Sequence, residues 1–130
     1  MPSSRAIFLL AIPLFTACAA VTTADGRQVA FGSSEFRSYV ETVFREQNKA
    51  ASDLAFAIED AAASGGAEPP ELIAVEDALL RACAGLNELA TARRDEQRLG
   101  VGHSAAVARK APECERATLD ARSALAARSK

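Results

Sequence analysis

The sequence contains no tryptophan, one tyrosine and six phenylalanines, so large aromatic side chains are scarce. Strands favour branched and aromatic residues, and this scarcity argues against a core made of β-sheets. Alanine is abundant instead, which is typical of helices that approach one another closely. We therefore expect an all-α fold, built as a single domain from a chain of 130 residues.

Histidine is as scarce as tyrosine, since His103 is the only one in the chain. It follows Gly100 and Gly102 in the connection after the second helix, with no cysteine or second histidine at the spacing of a metal site. No serine stands in a glycine-flanked elbow, and triad catalysis needs an imidazole oriented by a buried acid. Adjacent carboxylates occur at Glu59-Asp60 and at Glu76-Asp77. The two members of each pair point about 100° apart on a helix, so neither pair converges on one substrate atom. We predict no catalytic residue, no metal, no cofactor and no enzymatic activity.

The net charge is only −2, and a mildly acidic chain has no electrostatic affinity for nucleic acid. The charges are unevenly spread along the sequence. Residues 25–88 carry twelve acidic and five basic side chains, whereas residues 89–130 carry five acidic and nine basic ones. Either the basic part packs against the acidic part within one bundle, or it faces anionic lipid or an acidic partner. We favour the first interpretation.

The first residues have the layout of a secretory signal peptide. Arg5 precedes an apolar run of ten residues, 6–15, and the small residues Thr16 and Ala17 follow it. A membrane-spanning helix needs about 20 apolar residues, and this run is shorter and contains Pro13. We therefore expect residues 1–17 to be a signal peptide that is removed after export.

The sequence Leu14-Phe15-Thr16-Ala17-Cys18 resembles the lipobox of bacterial lipoproteins, although Phe15 stands where that family usually has leucine. In those proteins the cysteine becomes the acylated first residue of the mature chain. The resemblance covers the signal alone and implies lipidation of Cys18, with a membrane anchor in the cell envelope and a domain facing the periplasm. Ala19 is not the acidic residue that retains enterobacterial lipoproteins in the inner membrane, which implies the outer membrane.

A second cleavage site stays open, because Ala17-Cys18-Ala19 also fits the A-x-A pattern of ordinary signal cleavage. A cut after Ala19 would produce a secreted protein without lipid. In both cases Cys18 can no longer form a disulfide, because it is either acylated or removed with the signal. The other two of the three cysteines are Cys83 and Cys114. We predict a disulfide between them, with two buried free thiols as the alternative.

Residues 18–33 show no helical period, and we predict that they form the lipidated N-terminus and a flexible tether. A short strand over residues 27–31 is conceivable, but one strand has no partner to pair with. Residues 34–130 then form the helical domain.

Two long helices dominate that domain. The first runs from Ser34 to the glycines at 65–66, with apolar residues spaced by three and four. The second starts at Pro70, after a proline turn, and extends to about Leu99. The short connection makes the two antiparallel neighbours.

A shorter, alanine-rich helix starts near Ala111, and residues 104–110 are helix-compatible but weakly patterned. We expect the disulfide to fasten this last helix to the second one. The predicted fold is thus a three-helix bundle made of an antiparallel helical hairpin and a short C-terminal helix.

The predicted function is a non-enzymatic structural or protein-interaction module of the envelope. Two long helices and one short helix should leave an apolar patch uncovered, either at Phe36, Tyr39, Val40 and Phe44 or at the facing end of the second helix. Such a patch would bind an envelope protein or a second copy. The alternative is a periplasmic protein that binds a small ligand in an apolar cavity. Polar groups available for such a ligand are those of Tyr39, Gln47 and Asn87.

Overall fold

The structure is a computed structural model that describes residues 20–128. The signal sequence and Cys18 lie outside the described residues. The elements, in chain order, are β1 (Ala20–Thr22), β2 (Gln28–Ala30), α1 (Ser34–Ala63), α2 (Pro70–Arg94), α3 (Val101–Ala108) and α4 (Ala111–Arg128). In the described range, no helix combines the length and the apolar character that crossing a bilayer requires.

The boundaries of α1 follow from local chemistry. The Ser33 hydroxyl accepts a hydrogen bond of 3.0 Å from the backbone N–H of Phe36, and Glu35 complements the helix dipole in the first turn. Gly65 follows the last turn with φ of 76°, a left-handed conformation that favours glycine. Pro70 then occupies the start of α2, where its missing N–H costs no helical hydrogen bond.

The second helix ends at Arg94 and not at Leu99 as predicted. Glu96 adopts a left-handed φ of 53°, and the backbone N–H of Gln97 donates to the carbonyl of Ala92 at 2.8 Å. This closes the helix one turn early, because charged residues past Arg94 have no apolar face that packing would hold in place.

Two contacts define the direction of the helices. Tyr39 near the start of α1 bonds Glu115 near the start of α4, so these two helices run parallel. Arg128 at the end of α4 contacts Glu71 at the start of α2, so α2 runs antiparallel to both. The start of α1 and the end of α2 therefore lie at one end of the bundle. The start of α4 faces the same way but lies beside the middle of α2, because Cys114 is bonded to Cys83. We call the end where α1 begins the hairpin end, after the β-hairpin formed by β1 and β2, which packs there.

The core lies between α1, α2 and α4, where Leu54, Leu72 and Leu79 are 0% exposed. The predicted disulfide is confirmed, with Cys83 on α2 joined to Cys114 on α4 and both residues fully buried. The predicted fold class is also confirmed: two long helices and a C-terminal helical segment form the bundle. That last segment is bent into α3 and α4.

The prediction of a flexible tether is wrong for residues 20–33. Strands β1 and β2 pair antiparallel, with Val21 opposite Val29, and both valines are buried against the helices. The sequence did not reveal β1 as the partner of residues 28–30, because β1 is only three residues long and only its middle residue, Val21, is buried. The folded domain therefore starts at β1 and not at residue 34.

Candidate functional site

Glu115 joins three separate segments at the hairpin end. One oxygen of its half-buried carboxylate accepts hydrogen bonds from the backbone N–H of Ala24 and from the hydroxyl of Tyr39, both at 2.7 Å. Burial raises the pKa of Tyr39 above its usual range, and the bond to Glu115 raises it further. The phenol therefore stays protonated and keeps donating at neutral pH. We call Ala24, Tyr39 and Glu115 the hairpin latch.

A cleft of about 310 Å³, lined by both apolar and charged side chains, adjoins the latch between the β-hairpin, α1 and α4. Charged side chains that line the cleft form pairs of opposite charge with one another. Arg122 forms an ion pair with Glu46, and Arg27 lies 3.7 Å from Glu35. The cleft can accept a small polar molecule only by exchanging these internal pairs for contacts with it.

The turn of the β-hairpin carries its own hydrogen-bond network. The carboxylate of Asp25 accepts from the hydroxyl of Thr23 and, at 2.8 Å, from Nε of Arg27. These bonds lower the pKa of Asp25 from 3.8 to about 2, with Thr23 the larger cause. The Thr23 hydroxyl in turn accepts from the backbone N–H of Arg27 at 3.0 Å. The turn is thus fixed by charge-assisted bonds, with Thr23 buried and the side chains of Asp25 and Arg27 exposed to solvent.

The polar residues proposed for a ligand bond other protein groups. The side-chain amide of Gln47, which is 1% exposed, donates to the Asn87 carbonyl at 2.7 Å and links α1 to α2. Tyr39 is held by Glu115 on α4. The three side chains therefore form two separate contacts and do not converge on one cavity.

The expected exposure of the apolar patch is wrong for two of its four residues. Phe36 is 4% and Tyr39 8% exposed, whereas Val40 and Phe44 are half-buried. The ring of Phe31, which follows β2, lies 4.9 Å from the ring of Phe36 and covers it. The missed β-hairpin is the reason, because it supplies the side chains that close this part of α1.

Val40 and Phe44 belong to a groove that also includes the end of α2, the other position expected for an uncovered apolar patch. It measures about 690 Å³ and lies between α1, the second half of α2 and α3. Apolar side chains line most of its surface: Phe36, Val40, Phe44, Leu86, Leu89, Ala90, Ala92, Leu99 and Ala108. Charged residues, among them Arg37, Glu41 and Arg93, also line it. The groove forms because the chain turns back after Arg94 and lays α3 beside α2. Its only sequence signal is the broad apolar stripe at Leu86 to Ala90.

The single histidine lies on α3 and is about half exposed. Its Nε2 is 3.1 Å from an oxygen of Glu88 on α2, and that carboxylate is equally exposed. Between residues 20 and 128, no cluster of three or more His, Cys, Asp or Glu side chains is arranged to hold a metal ion.

The fold is a disulfide-linked three-helix bundle with an N-terminal β-hairpin. The sequence matches no protein-family model, and no curated protein or solved structure is significantly similar to it. The function has to be inferred from the residues of this chain.

Proposed function

We propose that this chain is an exported, lipid-anchored helical protein that serves as a non-enzymatic structural or interaction module of the bacterial envelope. Its anchor is the lipid on Cys18, and its folded domain faces the periplasm, on the outer membrane in preference to the inner one.

The observation that carries the proposal is the buried disulfide. Disulfides form and persist in oxidising compartments such as the bacterial periplasm and are rare in the cytosol. Cys83 and Cys114 are paired in the core, in a chain whose first residues resemble an export signal. Both features support the same compartment, and they come from parts of the sequence that do not depend on each other.

The start of the fold supports cleavage near Cys18. Strand β1 begins at Ala20, so a mature chain starting at Cys18 retains the whole β-hairpin. Such a cut would remove the apolar run and leave every described element intact. Cleavage after Ala19, the non-lipidated alternative, also leaves β1 complete, so this feature supports export without selecting between the two sites.

The interaction role is supported by the groove between α1, α2 and α3. Its apolar lining and about 690 Å³ of open volume fit a protruding side chain or a helix from an envelope protein. A second copy of the chain is the other partner that such a surface would accept.

Cell fractionation tests the anchor. The full chain is expressed in a Gram-negative bacterium, beside a Cys18→Ser variant and a matched Ser34→Ala variant with a native lipobox. We expect the native chain and Ser34→Ala in the membrane fraction after a high-salt wash, and Cys18→Ser to lose this anchoring. A native chain that is recovered in the soluble periplasm without acyl groups would contradict the proposal.

The same groove favours a second candidate function, the binding of a small apolar ligand. A ligand that binds only the folded state raises the unfolding temperature by mass action. We expect fatty acids of graded length to raise the unfolding temperature of the native chain. Ala90→Phe, which fills the groove, should abolish this rise. The control Ala78→Phe adds the same ring at an exposed position of α2 outside it. Equal shifts in both variants would count against a ligand in the groove.

A further inference from the structure

The strand nearest to the proposed anchor is fixed in the fold. Ala20 pairs with Ala30 at the open end of the β-hairpin, next to Phe31. A depression of about 440 Å³ separates β1 from the start of α4, and its lining includes Ala20, Thr22, Arg109, Glu113 and Arg116. The point where the chain enters the domain is therefore surrounded by residues from the α3–α4 corner.

The chain between Cys18 and this depression is very short. Two residues span at most about 7 Å between the Cα atoms of Cys18 and Ala20. That reach is comparable with the Debye length of about 8 Å at physiological ionic strength. A lipid on Cys18 would therefore hold the hairpin end at the membrane surface, close enough for its charges to interact with headgroups.

The charges at this position are mostly positive. Arg109, Lys110 and Arg116 are exposed, and none of them forms a salt bridge with another residue in the 20–128 range. The guanidinium of Arg109 lies 4.7 Å from the centre of the Phe31 ring, which holds it beside the open end of the hairpin. Glu113 opposes them in the lining of the depression, and Glu115, next to Arg116 on α4, is a second carboxylate at this end. Three cations against two anions leave this surface basic by one charge.

We propose that the hairpin end docks on anionic phospholipid headgroups through Arg109, Lys110 and Arg116. The inference rests on the lipid anchor proposed above and names the surface that the anchored domain presents to the membrane. Each basic side chain near an anionic surface strengthens binding about fivefold. With Glu113 and Glu115 each subtracting one such factor, the contact gains roughly fivefold over a neutral surface.

Amine footprinting of the purified, acylated protein tests this contact. The protein is reconstituted in vesicles of phosphatidylcholine alone or with phosphatidylglycerol, and labelling of each lysine is followed by mass spectrometry. Lys49 is the internal control, because its side chain is 67% exposed and it lies about 22 Å along α1 from the hairpin end. We expect Lys110 to be labelled about fivefold more slowly on the anionic vesicles, Lys49 to be labelled at an unchanged rate, and high salt to restore the labelling of Lys110.

Two double variants identify the side chains responsible. Arg109→Gln with Arg116→Gln should restore rapid labelling of Lys110 on anionic vesicles. Arg45→Gln with Arg81→Gln removes the same charge from exposed positions of α1 and α2 and should leave Lys110 protected.

The outcomes separate this inference from the proposed function. Acylated protein whose Lys110 reacts equally fast on both vesicles would overturn the docking and leave the anchor standing. A mature chain without acyl groups would overturn the anchor and the docking together. Protection in native envelopes but not on anionic vesicles would assign the basic surface to an acidic envelope partner and overturn the lipid.

Discussion

Glu115 is the residue on which the N-terminal part of the fold depends most. It lies on α4 and bonds the hairpin turn through Ala24 and the first half of α1 through Tyr39. A carboxylate that accepts two hydrogen bonds in a half-buried position contributes more than a neutral acceptor would. The neighbouring acid Glu113 is exposed and is therefore a natural comparison.

We expect Glu115→Ala to lower the free energy of unfolding by about 2 kcal/mol, since hydrogen bonds to charged groups contribute about 1.5–3 kcal/mol. Glu113→Ala should change it by less than about 0.5 kcal/mol, as exposed substitutions usually do. Urea denaturation of both variants makes the comparison. Equal losses would mean that the latch contributes no specific stability.

The lowered pKa of Asp25 makes a prediction about acid. Because the folded pKa is about 2 against 3.8 for a free carboxyl, the Asp25 carboxylate stabilises the hairpin fully above pH about 4. This contribution is lost as the pH falls from there through 2. The protection factors of the Val21 and Val29 amides, measured against the intrinsic exchange rate at each pH, should therefore fall in this window, and more in the native chain than in Asp25→Asn. The same fall in both proteins would assign the effect to other carboxylates.

At the scale of elements, the disulfide holds α4, a helix with few large apolar side chains, against α2. Its loop spans 31 residues along the sequence. Closing a loop of this length stabilises by about 3–4 kcal/mol on a chain-entropy basis. A Cys83→Ala, Cys114→Ala variant should lose at least that much in urea denaturation, while Cys18→Ser should lose nothing. A loss below about 1 kcal/mol would show that helix packing alone holds α4.

Packing of α3 depends on a glycine in the middle of α2. A Cβ added at Gly85 would lie 2.8 Å from Cγ1 of Val107, closer than real contacts allow. We expect Gly85→Ala to destabilise the native protein, because overpacking costs about 1–3 kcal/mol and outweighs a gain in helix propensity of about 1 kcal/mol. In a Val107→Ala background the same change should stabilise. Thermal unfolding of the four proteins gives the coupling, and an unchanged sign would disprove the close contact.

An element could be predicted from the sequence where the residues that define it are neighbours along the chain. Helix α1 repeats its apolar residues over 30 positions and has a serine cap, so its bounds followed from the sequence. Each strand has three residues and one buried valine, and neither is recognisable without its partner. The hairpin latch could not be predicted for the same reason, since Ala24 and Glu115 are 91 residues apart and meet only in the folded chain. The disulfide was predictable because two cysteines left a single pairing.

At the scale of the whole molecule, the missed hairpin changes how the domain would sit on a membrane. A flexible tether would have let the bundle swing clear of the surface. A hairpin that is packed on α1 and α4 would instead fix the hairpin end next to the proposed anchor. The loop between α1 and α2 lies at the opposite end of a helix about 45 Å long and would, in the proposed orientation, point away from the membrane.

The central claim is export with lipidation at Cys18, and the intact mass of the native mature protein tests it most directly. The protein is extracted from the envelope without reductant and measured before and after reduction. We expect a chain that starts at Cys18 and carries acyl groups, and that gains two hydrogen atoms when Cys83 and Cys114 are reduced. A mature chain that starts at Ala20 without acyl groups, or one that retains residues 1–17, would contradict the lipid anchor.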